Sequence, residues 1–78
     1  MTSTISLNQL APGQSAKVKE LKTAGSMRRR LLDLGLIAHT EVMCLGRSPL
    51  GDPSAYLIRG AVIAIRTKDS QNIIIETN

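Results

Sequence analysis

Residues Met27–Leu36 read MRRRLLDLGL, and this stretch predicts the clearest helix of the chain. Three apolar side chains share one helical face at the i, i+4 and i+7 spacing: Met27, Leu31 and Leu34. Ser26 is expected as the N-cap residue, because its hydroxyl can accept from a free backbone N–H. Gly35 stands where a left-handed residue commonly ends a helix. The helix therefore turns an apolar stripe toward a core and the arginines Arg28–Arg30 toward its surroundings.

The rest of the chain is patterned as short strands and turns. Alternating or continuous apolar residues predict five strands: Ser15–Leu21, Glu41–Arg47, Ala55–Ile58, Ala61–Arg66 and Ile73–Glu76. Ser6–Leu10 predicts one helical turn capped by Ser6, and Arg59-Gly60 predicts a tight hairpin turn. Leu21 lies on the opposite parity from Val18, which indicates either a β-bulge or the end of the first strand nearby.

These elements predict a mostly β fold, a small closed or half-closed barrel of about five strands with the helix between the first two. Closure is expected because it removes exposed strand edges that invite aggregation. A chain of 78 residues has room for one core, so we expect a single domain over residues 1–78. Residues 1–5 and 77–78 are expected to be loose ends.

Charge and composition narrow the class of protein. Ten Lys and Arg against six Asp and Glu give a net charge of +4, which favours acidic partners but is also ordinary for solubility. The single cysteine, Cys44, cannot form an intrachain disulfide. No apolar run approaches the roughly 20 residues of a membrane span. We therefore expect a soluble, cytoplasmic protein that does not insert into a membrane.

Few residues could carry chemistry. One histidine, one cysteine and scattered acids suggest no acid–base or nucleophile–base pair, so we expect a non-enzyme without a cofactor. His39, Glu41 and Cys44 form the one cluster of metal-ligand types. On an extended chain, however, Cys44 points away from the other two side chains. A metal site is therefore not expected.

Two surfaces could bind a partner. Arg28–Arg30 could contact nucleic acid electrostatically, or could simply form a solvated helix face. Tyr56 is the only aromatic residue, so the stacking platform of small basic barrels is missing. In the loop Ser48–Ser54, Leu50 lies between two prolines. It is either an apolar anchor for a partner or a turn residue folded inward.

Several ordered motifs resemble the ferrous iron transport protein A family, FeoA. They are RLLDLGL (Arg30–Leu36), TEV (Thr40–Val42), SPLGDP (Ser48–Pro53), IRG (Ile58–Gly60) and AIR (Ala64–Arg66). The resemblance covers the chain from about Leu7 to Ile75. It implies an SH3-like β-barrel with the helix inserted between the first two strands. Where family members often carry Pro-Gly, this chain has Ala38-His39, so that loop is expected to be less rigid.

The resemblance also implies a role. Such proteins are small cytoplasmic accessory proteins of bacterial ferrous iron transport, acting on the membrane transporter FeoB by regulating its cytosolic GTP-binding domain or by helping its assembly. The expected partner surface consists of Arg28, Arg29, Arg30, Leu50, Gly51, Asp52 and Pro53. The alternatives are a small basic nucleic-acid-binding barrel and, less favoured, a carrier or sensor that binds iron directly. An exposed strand edge would also support weak self-association.

Overall fold

The strands and helices follow the predicted order closely in the computed structural model, which describes residues 3–77. In chain order they are β1 (Ser3–Ser6), a 3₁₀ turn (Leu7–Gln9), β2 (Ser15–Leu21), α1 (Gly25–Asp33), β3 (Glu41–Arg47), β4 (Ser54–Ile58), β5 (Ala61–Ile65), α2 (Thr67–Ser70) and β6 (Ile73–Thr77). The predicted bounds of β2 and β3 are confirmed to the residue. Met1, Thr2 and Asn78 lie outside the described residues.

All six strands belong to one antiparallel sheet, in the order β1-β6-β2-β3-β4-β5. The mostly β prediction is confirmed, but there are six strands rather than about five, and of the closed or half-closed barrel that was expected, the closed form is wrong, because the ladder does not continue from β5 back to β1 within residues 3–77. The extra strand is β1, whose residues Ser3–Ser6 pair with Ile74–Thr77. Residues 3–5 and Thr77 are therefore not loose ends. Counting β1, helix α1 lies between the second and third strands.

Two hydrogen bonds connect the 3₁₀ turn, which follows β1, to strands β3 and β4. The Tyr56 hydroxyl in β4 donates to the carbonyl oxygen of Leu7 at 3.5 Å. Arg47 Nη2, at the end of β3, donates to the carbonyl oxygen of Asn8 at 3.2 Å. Leu7 and Leu10 are buried. These side-chain hydrogen bonds, rather than a strand ladder, thus connect the segment after β1 to β3 and β4.

The core is aliphatic apart from Tyr56 and receives side chains from β2 to β6, from α1 and from the 3₁₀ turn. Ala16 and Val18 point inward on alternate positions of β2, as a strand with one wet face requires. The register between β2 and β6 shifts between Val18 and Glu20, which confirms the bulge and returns Leu21 to the core.

Helix α1 begins at Gly25, two residues earlier than a helix capped by Ser26 would. Ala24, with extended backbone, takes the N-cap position and offers no side-chain acceptor, so the assignment of Ser26 as the N-cap is wrong. Met27 and Leu34 are partly buried against the core and Leu31 is buried, which confirms the predicted stripe.

The C-terminal end of α1 is a Schellman motif. Gly35 has a φ of +101°, a left-handed conformation that favours glycine. Its N–H donates to the carbonyl oxygen of Leu32 at 3.0 Å, and the N–H of Leu36 donates to that of Leu31 at 3.1 Å. Leu31 and Leu36 are both buried, which supplies the apolar contact that accompanies this motif. Gly35 therefore ends the helix as predicted and sends the chain into the core.

Candidate functional site

The arginines of α1 divide into one structural contact and two exposed charges. Arg28 Nη1 donates to the carbonyl oxygen of Leu21 at 3.2 Å and so fastens the helix to the end of β2. Arg29 and Arg30 are exposed, and neither forms an ion pair within residues 3–77. Leu32 is 36% exposed and lies on the same side of the helix as Arg28 and Arg29. These three residues line a shallow depression. The helix thus offers cations beside an apolar side chain.

Leu50 lies at the tip of the loop between β3 and β4 and is 94% exposed. The alternative in which it folds inward is therefore wrong. The turn beneath it is held by two backbone bonds, from the Gly51 N–H to the carbonyl oxygen of Ser48 at 2.8 Å and from the Ser48 N–H to that of Pro53 at 3.0 Å. Leu50 is an apolar side chain presented to solvent on an ordered turn.

Asp52 has a structural contact that the sequence did not predict. Its Oδ1 accepts from the backbone N–H of Thr67 at 2.8 Å and from the Thr67 hydroxyl at 3.1 Å. Thr67 is the first residue of α2, whose N-terminal N–H groups have no partner within the helix. Asp52 therefore caps α2 from a distant loop, and its carboxylate is already engaged.

The two expected partner surfaces lie on separate segments of the chain. Residues 34–40 connect α1 to the start of β3, and the loop with Leu50 follows the end of β3. The whole of β3, Glu41–Arg47, therefore lies between the two surfaces along the chain. No hydrogen bond or ion pair joins α1 to residues 48–53 within the described part of the chain. The two surfaces can therefore be tested by separate substitutions.

The potential metal ligands do not converge. Cys44 is 1% exposed and points into the core, whereas His39 and Glu41 are exposed. No group of three or more His, Cys, Asp or Glu side chains that could hold a metal ion occurs in residues 3–77. His39 has a φ of +73°, the conformation that favours glycine. Its N–H donates to the carbonyl oxygen of Val18 at 2.8 Å, which holds the turn in place.

Tyr56 is 1% exposed, so its ring belongs to the core. Burial raises the pKa of its hydroxyl, against the smaller lowering effects of the neighbouring Ser54 and Ser70 hydroxyls. Ser54 and Ser70 are themselves buried beside this ring. Tyr56 is consequently not available for stacking on a nucleic acid base.

An exposed apolar face on β3, β4 and β5 was missed at the level of sequence. Val62 is 67% exposed and Leu45 is 43% exposed. A shallow groove beside them is lined by residues that include Pro53, Ala55 and Ala64. The signal was present, because the β5 segment is apolar at every position, but an apolar run alone does not show which face of a strand is exposed.

No helix among residues 3–77 has the length and hydropathy of a membrane span. The fold is that of a small SH3-like domain. Stenotrophomonas maltophilia FeoA, solved in complex with zinc and described as a prokaryotic SH3 domain protein, superposes with a TM-score of 0.82. It is 21% identical, and the match covers 95% of this chain and 96% of that one.

The FeoA domain model matches residues 5–77, and the chain belongs to the FeoA domain family, which is associated with ferrous iron transport. Iron(II) transport protein A from Clostridium thermocellum is 29% identical, with a TM-score of 0.89 over 94% of this chain and 45% of that one. A curated relative from Porphyromonas gingivalis, an Fe(2+) transport protein A/Fe(2+) transporter FeoB fusion protein, is 27% identical over 70 residues. That match covers 90% of this chain but only 8% of the fusion protein.

Proposed function

We propose that this chain is a non-enzymatic accessory domain that acts by binding the membrane ferrous iron transporter FeoB on its cytosolic, GTP-binding side. The observation that carries the proposal is the Porphyromonas gingivalis relative, in which a similar domain and FeoB share one polypeptide. A covalent link raises the effective concentration of one part for the other, which is useful where the two act on each other. The proposal places the chain in the cytoplasm, at the inner face of the membrane.

Two surface features support binding rather than catalysis. Arg29 and Arg30 are exposed cations that can steer association with an acidic partner and form charged hydrogen bonds with it. Leu50 is an exposed apolar side chain on an ordered turn, so little conformational entropy is lost when a partner covers it. Gly51 and Pro53 shape that turn, and Asp52 holds it against α2.

An amide NMR titration with the cytosolic GTP-binding domain of FeoB, in GDP and GTP-analogue forms, tests the proposal. We expect shifts around residues 27–33 and 48–53, and a preference for one nucleotide form if the effect is regulatory. Leu50→Ser should weaken binding about 5- to 30-fold, the equivalent of about 1–2 kcal/mol, and leave the fold unchanged. An absence of shifts in both nucleotide forms would refute binding to this domain.

Charge reversal tests the helix separately. Arg29→Glu with Arg30→Glu should slow association and make it less dependent on salt, because rim charges act mainly on the association rate. Lys22→Glu with Lys68→Glu, which reverses two exposed charges outside α1, is the matched control. Equal effects of the helix and control variants would mean that only the net charge matters and that α1 is not part of the interface.

The structure gives the other two candidates less support. A nucleic-acid-binding barrel would have to work without an exposed aromatic ring, since Tyr56 is buried. Steep salt dependence of binding to single-stranded DNA, together with indifference to FeoB, would favour it. A direct iron carrier would need ligands other than His39, Glu41 and Cys44, which do not converge.

A further inference from the structure

Strand β5 is one of the two edges of the sheet and pairs only with β4. All five of its residues, Ala61–Ile65, are apolar. No backbone hydrogen bond from another segment reaches these residues within the described chain. An apolar edge without a covering element can accept a further strand.

The hairpin turn fixes which backbone groups of β5 face away from β4. Arg59 and Gly60 both have positive φ, of 51° and 82°, which is the signature of a type I′ turn. In such a two-residue hairpin the flanking residues, Ile58 and Ala61, form a hydrogen-bonded pair, and the pairing type then alternates along the ladder. The N–H and C=O groups of Val62 and Ala64 therefore point to the free edge. They offer two donors and two acceptors to an added strand.

The outer face next to this edge is apolar as well. Met43, Leu57 and Val62 lie in one row across β3, β4 and β5. The next row consists of the small residues Gly46, Ala55 and Ala64, and it forms the floor of the groove bordered by Leu45 and Pro53. A strand added beside β5 would continue both rows. A large apolar side chain opposite Ala64 would lie over the row of small residues.

Charge decides which kind of strand fits. Arg59 precedes β5 and Arg66 follows it, and both are exposed and without an ion pair in residues 3–77. Asp52 approaches this end of the strand, but its Oδ1 accepts from the N–H and hydroxyl of Thr67. The edge is thus an apolar strip between two arginines, of which Arg59 lies with its side chain against Gly35 and has to turn from there to meet an acidic flank. Its complement is an extended segment with an apolar centre and acidic flanks.

A second copy of the chain fits this edge poorly. The exposed groups of Val62 and Ala64 would pair in a two-fold antiparallel arrangement centred on Ile63. That register brings Arg66 of one copy beside Gly60 and Arg59 of the other, at both ends of the pair. Like charges on neighbouring strands are destabilising, so the arginines oppose self-association through β5.

We propose that the free edge of β5 is a docking site for an extended, apolar segment of a partner protein that has acidic residues at both ends and adds to the sheet as a seventh strand. Backbone hydrogen bonds to Val62 and Ala64 give this docking its register, and Arg59 and Arg66 select the acidic flanks. The site differs from the α1 surface and from the Leu50 turn, although Pro53 borders both that turn and the groove beside β5. It does not depend on whether FeoB or another protein supplies the strand.

The probe is the peptide Ac-Glu-Glu-Val-Thr-Leu-Thr-Val-Glu-Glu-NH2, added to the full chain at millimolar concentration and followed by NMR. Its matched control carries Lys in place of each Glu. We expect the acidic peptide to shift and protect the amides of Val62 and Ala64, and to bind about tenfold more tightly than the basic one at low salt. Equal binding of the two peptides, or no protection of Val62 and Ala64, would overturn the proposal.

Variants separate edge pairing from nonspecific attraction. Ala64→Pro removes an N–H that β4 does not use, so the fold should persist while peptide binding is lost. Val62→Asp repels the acidic flanks without introducing a proline, and Ala38→Asp, at an exposed position after α1, is its control. Arg66→Glu should reduce the preference for the acidic peptide by several-fold.

A concentration series without peptide tests the second copy as the occupant. We expect the exchange rates of Val62 and Ala64 to be independent of protein concentration. Protection that increases with protein concentration would show that another copy of this chain covers β5, and would overturn the assignment of an acidic partner strand. Because none of these measurements contains FeoB, their failure leaves the proposed function to its own test.

Discussion

Replacing Gly35 by alanine tests how the end of α1 is built. Gly35 has a φ of +101°, and a Cβ added there would lie 2.6 Å from Cδ of Arg59. Two costs are therefore expected, one from the backbone conformation and one from the contact with a side chain of the β4–β5 turn. Gly35 also connects the helix to the buried Leu36, so a distorted Schellman motif would disturb the packing of the core.

The size of each cost follows from the geometry. A non-glycine residue held in a sparsely populated left-handed region costs about 1–3 kcal/mol. Displacing the Arg59 side chain from its rotamer adds about 0.5–1.5 kcal/mol, because the contact involves the flexible end of an exposed side chain. Alanine reduces the entropy of the unfolded chain, which offsets about 0.4–1 kcal/mol. We expect Gly35→Ala to destabilise the protein by about 0.5–4 kcal/mol, with a central value of about 2 kcal/mol.

Urea unfolding of four variants separates the two costs. Gly13→Ala is the matched control, since Gly13 also has a positive φ, of +87°, but a Cβ there would meet no atom within 4 Å. Gly35→Ala should exceed it by about the cost of displacing the side chain, 0.5–1.5 kcal/mol. In the double-mutant cycle, Arg59→Ala should recover that difference. Each kcal/mol also corresponds to a change of about 4–8 °C in Tm for a domain of this size.

Two results would refute this reasoning. If Gly35→Ala cost no more than Gly13→Ala, the helix end and the Arg59 side chain would not be in contact in solution. If both substitutions were neutral, the chain would leave α1 without a left-handed residue, and the Schellman motif would be absent.

Two further predictions concern contacts that the sequence did not reveal. Asp52→Ala should cost about 0.5–2 kcal/mol in urea unfolding and speed amide exchange at Thr67, because it removes the cap of α2, whereas Asp52→Asn should retain most of the stability; equal losses in both would show that the charge, and not the hydrogen bonds, matters. Burial raises the pKa of Tyr56, so its hydroxyl prefers the protonated form in the folded state, and stability should fall as the pH rises above the unfolded value of about 10. Absorbance at alkaline pH reports this titration directly, since Tyr56 is the only aromatic residue, and the alkaline loss specific to this group should be missing from Tyr56→Phe.

Features set by neighbouring residues were predicted from the sequence. The alternation in Ser15–Leu21 gave β2 and the need for a bulge, and Gly35 gave the end of α1. Arg59-Gly60 gave the hairpin turn, because only a few residue pairs adopt positive φ at both central positions. In each case one local property, either side-chain parity or φ preference, determines the structure.

Features set by distant residues were not. The segment Ser3–Ser6 is too short and too polar to indicate a strand, and its pairing depends on β6 at the far end of the chain. The contact of Asp52 with Thr67 spans 15 residues, and that of Arg59 with Gly35 spans a strand pair. Whether the sheet closes is also a long-range property, because it depends on how far β1 lies from β5 once the core is packed. Local patterns do not contain these distances.

The candidate surfaces show the same division. Arg29 and Arg30 could be placed on an outer helix face from periodicity alone, but the engagement of Arg28 with Leu21 could not. The sequence did not decide whether Leu50 is exposed, because a leucine between two prolines can point either outward or inward from a turn. Asp52 was assigned to a partner surface from its motif, yet its carboxylate caps α2.

The effect of the net charge of +4 on solubility and partner choice depends on where the arginines lie. Composition alone cannot distinguish a charge that keeps a protein soluble from one that selects a partner. Arg59 precedes and Arg66 follows the apolar open edge of β5. This pair of charges both keeps the protein soluble and selects a partner. They oppose pairing of β5 with itself and favour a strand with acidic ends. Because both are exposed, salt screens them over about 10 Å at 0.1 M, so the protection against self-pairing and the preference for an acidic strand should weaken together as ionic strength rises.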